Sequence, residues 1–467
     1  MDFLGKKVLV VGLARSGMAT IKLLSILGAT IYLSESKSKT EIEELSTLES
    51  LGVTVLDQSL EVFEKDYDLV VKNPGVPYKT QQMQKLHDRK IPVITEIELA
   101  YRVAKPQTYI AITGTNGKTT TASLTYEIIK KAYGEKVHLC GNIGIPLCEI
   151  VVNENLLNEE GHIIVLEVSN FQLINIDEFR PTFATIINLS PDHVDFMGSI
   201  EEYYESKTRV YKNMKDDDIF LLNMDDVIVN EYVKKYPVSC KVQSFSLEKE
   251  ADIYIKCDNI ISGVDGKGNN TASEVIKNNV ITAFGEEILP LDSIKAPGKH
   301  NLQNTIVAVF FAKALGINNE IIKDVVEKFN GVEHRMEFVR EIDNVKYYND
   351  SKATNTDATV TALKAFDKGV ILLIGGFEKG LSMDNIKANL DSVKKIIGFG
   401  ACGRRLVDET VGTDGIVVET LEEAVTTAKK IAESGDVILL SPTTSSFDQY
   451  SCFEERGEHF KKLVYEL

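Results

Sequence analysis

Three stretches of this 467-residue chain predict an α/β protein built from three parallel-sheet modules. Near the start, the apolar run Lys7 to Val11 passes directly into Gly12-Leu13-Ala14-Arg15-Ser16-Gly17, which is the order of a strand and a dinucleotide-type turn. In the middle, the run Tyr109 to Thr113 leads into Gly114-Thr115-Asn116-Gly117-Lys118-Thr119-Thr120, a strand followed by a phosphate loop at the start of a helix. Beyond Val332 the alternation of apolar strands and helical patterns resumes. The expectation is an N-terminal Rossmann-like module over residues 1–100, a central P-loop ATPase-like sheet over 101–331 and a C-terminal Rossmann-like module over 332–467. The length fits about three domains, each large enough for its own core.

Composition narrows the classes of partner. With 43% apolar and 26% charged residues the chain reads as globular, and its net charge of −17 argues against nucleic acid or an anionic membrane as the main partner. Anionic substrates must then be met by local positive groups. The six cysteines contain no C-x-x-C pair, so neither a cysteine zinc site nor a disulfide framework is indicated, and a reduced compartment fits. No signal-peptide pattern opens the chain, and no run approaches about 18 apolar residues. A soluble, cytoplasmic, monomeric protein without membrane insertion is expected.

In the first module, Met18, Ile21, Leu24 and Leu27 recur on one helical face after the glycine turn. A second strand, Thr30 to Leu33, ends at Glu35, whose carboxylate is placed either to accept hydrogen bonds from a ribose or base or to sit solvated at a strand end. The spacing of Gly12 and Gly17 is longer than G-x-G-x-x-G, so nicotinamide binding is only weakly signalled. A strand from Tyr67 to Lys72 precedes the turn Asn73-Pro74-Gly75, and Pro92 to Ile94 closes the module.

The central module opens on the phosphate loop. Glycines free backbone amides there, the helix start adds its positive end, Lys118 brings a full charge and Thr119 a hydroxyl suited to Mg²⁺. The strict G-x-x-x-x-G-K-[ST] pattern fails, because Ile112 stands five before Gly117. Further strands are expected at Val137 to Leu139, Ile163 to Val168, Thr185 to Leu189 and Ile219 to Asn223. Glu167 ends one of them, and with Thr119 it is a candidate pair of oxygen ligands for one Mg²⁺. On chemistry alone His193 reads better as a hydrogen-bonded structural histidine than as a Mg²⁺ ligand, and Lys207, on a helix from Ile200 to Asn213, as a solvated lysine. Residues 238–291 change character and read as an antiparallel appendage. A helix through Leu315 follows, where Asn301 and Asn304 lie three apart, placed to read an adenine-like ring or to cap.

In the third module Arg335 lies in a charged connector from which it could reach a phosphate. A hairpin through Val345 to Asn349 and strands at Val370 to Ile374, Lys395 to Phe399, Ile416 to Val418 and Val437 to Leu440 are expected. The segments Asn349 to Asn355, Gly375 to Gly380 and Ser441 to Gln449 bring hydroxyls, amides and a lysine to expected helix starts, where carboxylates bind.

Five motifs together resemble the Mur ligases over nearly the whole chain. They are Thr113-Gly114-Thr115-Asn116-Gly117-Lys118-Thr119-Thr120, Asp192-His193, His300-Asn301-x-x-Asn304, His334-Arg335-x-Glu337 and Asn349-Asp350-Ser351-Lys352-Ala353-Thr354-Asn355. The run Val10 to Gly17 and the tail Leu440 to Tyr450 resemble the branch of that family that adds D-glutamate. The resemblance implies that UDP-N-acetylmuramoyl-L-alanine is held by Arg15, Ser16, Glu35, Asn73 and Asn142, although family members often carry aspartate and serine where Glu35 and Asn73 stand. It implies ATP on Gly114 to Thr120 with Asn304, Arg335 and Asp350, and D-glutamate at Lys352, Thr354, Lys379 and Ser446. Glu378 stands where the family usually has aspartate. It implies two Mg²⁺ ions, one at Thr119 and Glu167 and one at His193 and a carbamylated Lys207. Carbamylation makes a carboxylate-like ligand of an ammonium that would otherwise repel the ion.

The implied chemistry is ATP-dependent. The alanyl carboxylate attacks the γ-phosphate, charge is neutralised by Lys118 and the ions, and the amine of D-glutamate displaces phosphate from the acyl phosphate. A nicotinamide-dependent oxidoreductase would leave the phosphate loop without a purpose, and a non-catalytic nucleotide module would not need the acid, histidine and lysine beyond it. Among enzymes the alternatives are an L-alanine-adding Mur ligase and a folylpolyglutamate-type ligase.

Overall fold

The computed structural model describes residues 3–191, 197–256, 279–295, 298–329 and 331–467. They form two compact units, one of Met1–Ser293 with Gln303–Val326 and one of Ile294–Leu302 with Glu327–Leu467. Three sheets are present, two in the first unit and one in the second. No helix among the described residues is long and apolar enough to cross a membrane.

The first sheet comprises β1 (Lys7–Val11), β2 (Thr30–Ser34), β3 (Thr54–Leu56), β4 (Leu69–Lys72) and β5 (Val93–Ile94), all parallel in the order β3-β2-β1-β4-β5. Strand order reverses between β1 and β4, the place where open parallel sheets leave a crevice at their C-terminal ends. The helix Arg15–Ile26 follows β1 and buries Ile21, Leu23 and Leu24. These join Leu99, Leu147 and Val151 in one core, so the first sheet is continuous with the second through packed helices.

The second sheet comprises β6 (Thr108–Thr113), β7 (Val137–Gly141), β8 (Ile163–Glu167), β9 (Phe183–Ile186), β10 (Ile219–Asn223), β11 (Lys241–Ser246), β12 (Ile253–Lys256), β13 (Val280–Ala283) and β14 (Glu286–Pro290). Its order is β14-β13-β12-β11-β10-β9-β6-β8-β7. Strand β6, flanked by β8 and β9, is almost wholly buried, which its apolar, β-branched composition requires of a central parallel strand. Two expectations are corrected. The strand expected at Thr185 to Leu189 is β9 at Phe183–Ile186, because Phe183 and Ala184 pair with Ile110 and Ala111 of β6. The segment from Val238 onward is not wholly an antiparallel appendage. Strand β11 follows the helix Val227–Lys235 as an ordinary crossover, and β11 and β12 extend the parallel sheet; only β13 and β14 are antiparallel. The helix carries an Asp226 side-chain cap, a local signal that a crossover begins there.

The second unit comprises β15 (Glu337–Ile342), β16 (Val345–Asn349), β17 (Val370–Gly375), β18 (Val393–Phe399), β19 (Ile416–Val417) and β20 (Val437–Leu440), in the order β15-β16-β20-β17-β18-β19. The β15–β16 hairpin is antiparallel and the other pairings are parallel. Asp343 and Asn344 connect the hairpin at φ 52° and 63°, the positive values a two-residue turn needs. Along β17 the side chains alternate between two cores. Leu372 and Ile374 face one, Ile371 and Leu373 the other, so both faces of the sheet are covered.

Candidate functional site

The phosphate loop lies at the C-terminal end of β6. Gly117 stands before the helix Lys118–Tyr133 at φ 81°, and a Cβ there would sit 2.3 Å from Asn304 Oδ1. Only glycine meets both demands. No acidic side chain lies in the first turn of that helix, whose positive end suits an anion. Lys118 Nζ donates to the carbonyl oxygens of Gly114 at 3.0 Å and Thr115 at 2.7 Å, which holds the cation over the loop.

Neighbouring strand ends brace this loop, through residues the sequence reading did not assign. Asn188 accepts from the Asn116 amide at 2.8 Å and donates to the Asn116 carbonyl at 3.1 Å. Thr115 Oγ1 accepts from the Ser190 amide at 3.0 Å and from the Tyr203 hydroxyl at 3.2 Å. Asn304, expected near an adenine, accepts from Thr121 Oγ1 at 3.1 Å, beside the first turn of the same helix.

Glu167 ends β8 as expected and is buried. Its Oε1 accepts from Asn142 Nδ2 at 2.8 Å, while its Oε2 is buried with no hydrogen-bond partner among the described residues. A buried carboxylate oxygen left without a donor is costly unless a cation meets it, so this atom fits an oxygen-seeking divalent ion such as Mg²⁺. The Asn142 amide also binds the Glu167 carbonyl, at 2.9 Å, and a Cβ on Gly141 would lie 2.3 Å from that oxygen. Thr119 is buried in the first turn of the loop helix. Lys207 is buried on the helix Ile200–Thr208; its Nζ donates to the Gly114 carbonyl at 2.9 Å and lies 4.8 Å from the centre of the Tyr203 ring. The reading of Lys207 as a solvated lysine is therefore corrected. Its amine is directed to the same carbonyl that holds Lys118. His193 lies outside the described residues.

At the first sheet, Arg15, Lys22, Glu35 and Lys37 line a cleft of about 470 Å³. Ser16 is half-buried one residue further along the same helix. Burial alone would raise the pKa of Glu35. Hydrogen bonds from the Ser36 hydroxyl and from the amides of Leu13, Ser36 and Lys37 outweigh it and lower the value. The carboxylate is thus anionic and ties the glycine turn to the end of β2. Across the switch point, Asn73 accepts from the Gly75 amide at 3.1 Å and keeps a buried Nδ2 without a partner among the described residues, a donor suited to a ligand carbonyl. Buried Lys72 donates to the carbonyls of Asn73 and Val76, and burial lowers its pKa to about 8.

The second unit carries a polar cluster of its own. Asp350 is buried and accepts from Ser441 Oγ at 2.8 Å and from the Met336 amide at 3.2 Å; burial raises its pKa to about 7 against the pull of these bonds and of Arg335. Lys352 Nζ lies 5.7 Å from the centre of the Phe453 ring, and Lys379 Nζ donates to the Thr354 carbonyl at 3.3 Å. Burial, and then the Arg456 charge, lower the pKa of Lys379. Ser446 is buried, and its Oγ and the hydroxyls of Thr443 and Ser445 have no partner among the described residues. The expected helix starts are corrected at two places. Ser446 lies in a loop, well before the helix Phe453–Tyr465, and Gly375 to Gly380 is followed by irregular chain before the short helix Asp384–Lys387. Asn355 does cap a helix, Thr356–Leu363.

Arg456 organises these loops. It is fully buried, and its guanidinium donates to Ser351 Oγ and to the carbonyls of Ser351, Gly375 and Thr444 at 2.9 to 3.4 Å. A charged residue inside a helix ordinarily reads as solvated, so its sequence carries no signal of this role.

Comparison with known proteins shows the family of the chain. The family described as Mur ligase middle domain matches residues 112–312, and the family described as Mur ligase, glutamate ligase domain matches residues 334–444. The chain is similar to a protein of Bacillus cereus (strain AH820) named UDP-N-acetylmuramoylalanine–D-glutamate ligase, at 39% identity over 100% of this chain and 99% of that one. A Bacillus anthracis (strain A0248) protein of the same name matches to the same extent. Among solved structures, the fold is similar to UDP-N-acetylmuramate-alanine ligase of Thermotoga maritima, with 18% identity, TM-score 0.54 and 99% of both chains covered. It is also similar to a MurF ligase of Thermotoga maritima in complex with ADP, with 16% identity, TM-score 0.57 and 94% and 95% of the two chains covered.

Proposed function

Since the chain belongs to the Mur ligase family, in its D-glutamate-adding branch, we propose that it joins D-glutamate to UDP-N-acetylmuramoyl-L-alanine with cleavage of ATP to ADP and phosphate, a step of peptidoglycan precursor synthesis. Residues 1–100 hold the nucleotide sugar, 101–331 hold ATP and 332–467 hold D-glutamate, each module having its own sheet. The observation that carries the reading is the phosphate loop beside a buried carboxylate oxygen that lacks a donor among the described residues.

A carboxylate is a poor acyl donor because oxide is a poor leaving group. The alanyl carboxylate attacks the γ-phosphorus of ATP, ADP leaves, and an acyl phosphate forms. The amine of D-glutamate then attacks the acyl carbon, and phosphate departs with the bonding pair. The amides of Gly114 to Thr120 orient the phosphates, and Lys118 neutralises charge that develops on them. Thr119 and Glu167 would hold one Mg²⁺, which supplies further charge neutralisation when bound. His193 and Lys207 would hold a second, with Lys207 carbamylated. Carbamylation leaves one N–H on Nζ, enough to keep the bond to the Gly114 carbonyl.

Arg15, Ser16, Glu35 and Asn73 line the nucleotide-sugar site, and Asn142 and His193 face its muramoyl-alanine arm. Asn304, Arg335 and Asp350 serve ATP, and Lys352, Thr354, Lys379 and Ser446 bind D-glutamate. The test is phosphate release from ATP in the presence of the nucleotide-muramoyl-alanine acceptor and single amino acids. Release that depends on D-glutamate is expected. Release with L-alanine but not D-glutamate, or none at all, overturns the proposal.

A further inference from the structure

Two histidines and a glutamate gather at the opposite end of the central sheet from the phosphate loop. His138, the second residue of β7, and His162, just before β8, lie on one face of the sheet, because β7 and β8 pair in parallel with His138 opposite Ile164. Both imidazoles are buried, their rings stack with centres 5.2 Å apart, and His138 Nε2 lies 2.9 Å from His162 Nδ1. Glu154, half-buried at the end of the helix Leu147–Asn153, brings a carboxylate oxygen, so that the three ligand atoms lie within 4.8 Å of one another. We propose that His138, His162 and Glu154 bind a divalent transition-metal ion of the zinc class, with solvent as the remaining ligand.

The chemistry of the three groups favours that ion over Mg²⁺. Two imidazole nitrogens and one carboxylate suit Zn²⁺, whereas Mg²⁺ takes oxygen ligands and keeps its waters. Ligands about 2.0–2.1 Å from a tetrahedral ion stand a little over 3 Å apart, so to admit it the two nitrogens must part slightly and the rings must turn until both lone pairs point at the ion. Lys130, the nearby cation, is paired with Glu135 at 2.8 Å, which blunts its repulsion of an incoming ion.

The site is separate from the phosphate loop. The five residues of β8 span about 16 Å between His162 and Glu167. An ion here clamps the starts of β7 and β8 and acts on stability, by mass action on the folded state.

The test uses the full-length, chelator-treated protein titrated with Co²⁺ in excess Mg²⁺. One equivalent giving the visible bands of a nitrogen-ligated ion, displaced by Zn²⁺, is expected. His138→Asn with His162→Asn should lose that equivalent, and His87→Asn, on an exposed helix, should keep it. Should the double variant fail to fold, Glu154→Gln, a half-buried turn residue, should weaken Zn²⁺ binding and reduce the rise in melting temperature that Zn²⁺ gives the parent chain. Absence of the bands, an equivalent that survives in Glu154→Gln with unchanged affinity, or anomalous diffraction placing the ion elsewhere overturns the proposal.

Discussion

Two lysines share one oxygen: Lys118 and Lys207 both donate to the Gly114 carbonyl. Cations held on a backbone acceptor of the loop stand close to the place where phosphate charge develops. Lys118→Ala should therefore lower acyl-phosphate formation by about 10²-fold or more, the scale of removing one positioned electrostatic donor, with the circular dichroism spectrum unchanged. Retained turnover would remove the loop from the reaction. Lys207→Ala should also lose turnover and regain part of it with added short carboxylic acids, if a carbamate is the working group. Asp350 makes a different prediction. Its folded pKa, about 7, stands above the ordinary carboxylate value, so its contribution to stability is present at pH below about 4 and lost as pH rises through 7. The stability of Asp350→Asn relative to the parent should accordingly improve between pH 5 and pH 8 by more than about 1 kcal/mol, since one pKa unit is about 1.4 kcal/mol. Calorimetry of both proteins at the two pH values measures this, and a constant difference would show that the buried carboxyl does not titrate there.

Among the elements, the ends of β6, β7 and β8 matter most, because they fix where Glu167 points. Gly141 lets the end of β7 approach the Glu167 carbonyl, and a methyl group placed 2.3 Å from that oxygen must push the strands apart. Gly141→Ala should cost more than about 1 kcal/mol of stability, as strain at a positive-φ, tightly packed backbone position does. It should also raise the Mg²⁺ concentration needed for half-maximal turnover, and an unchanged Mg²⁺ dependence would show that strand spacing does not position the carboxylate. The same elements show what the sequence made legible. Runs such as Val370 to Ile374 and Ile163 to Glu167 are buried on both faces and read as strands directly. Glycines and a lysine at a strand–helix junction announce a phosphate loop from spacing alone. Strand β11 did not read as parallel because its exposed Val242 and buried Phe245 resemble the alternation of an edge hairpin; the capped helix before it decides the topology. The roles of Asn188 and Arg456 depend on partners about 70 and 105 residues away, Asn116 and Ser351, which no local pattern reveals.

On the scale of the whole molecule, 69 acidic against 52 basic side chains give a field that repels the proposed substrates, all of them anions. Against that field stand local cationic groups: Arg15, Lys22 and Lys37, which line the first cleft together with Glu35, Glu44 and Glu149, and Lys118 and Lys207 at the phosphate loop. Contacts made at hydrogen-bond distance are screened little by salt, whereas the summed field of distant carboxylates is screened strongly, the Debye length falling from about 30 Å at 0.01 M to about 8 Å at 0.15 M. The two terms thus respond differently to ionic strength. A protein that attracts its anionic substrate through overall positive charge loses kcat/KM as salt is added. For this chain kcat/KM for the nucleotide sugar should instead rise between about 0.01 M and 0.15 M monovalent salt, with Mg²⁺ held constant, because repulsion from the acidic surface is removed while the local contacts persist. Steady-state rates across that range measure it. A steep fall would mean that the local cations dominate the approach and that the acidic surface lies where substrates do not pass.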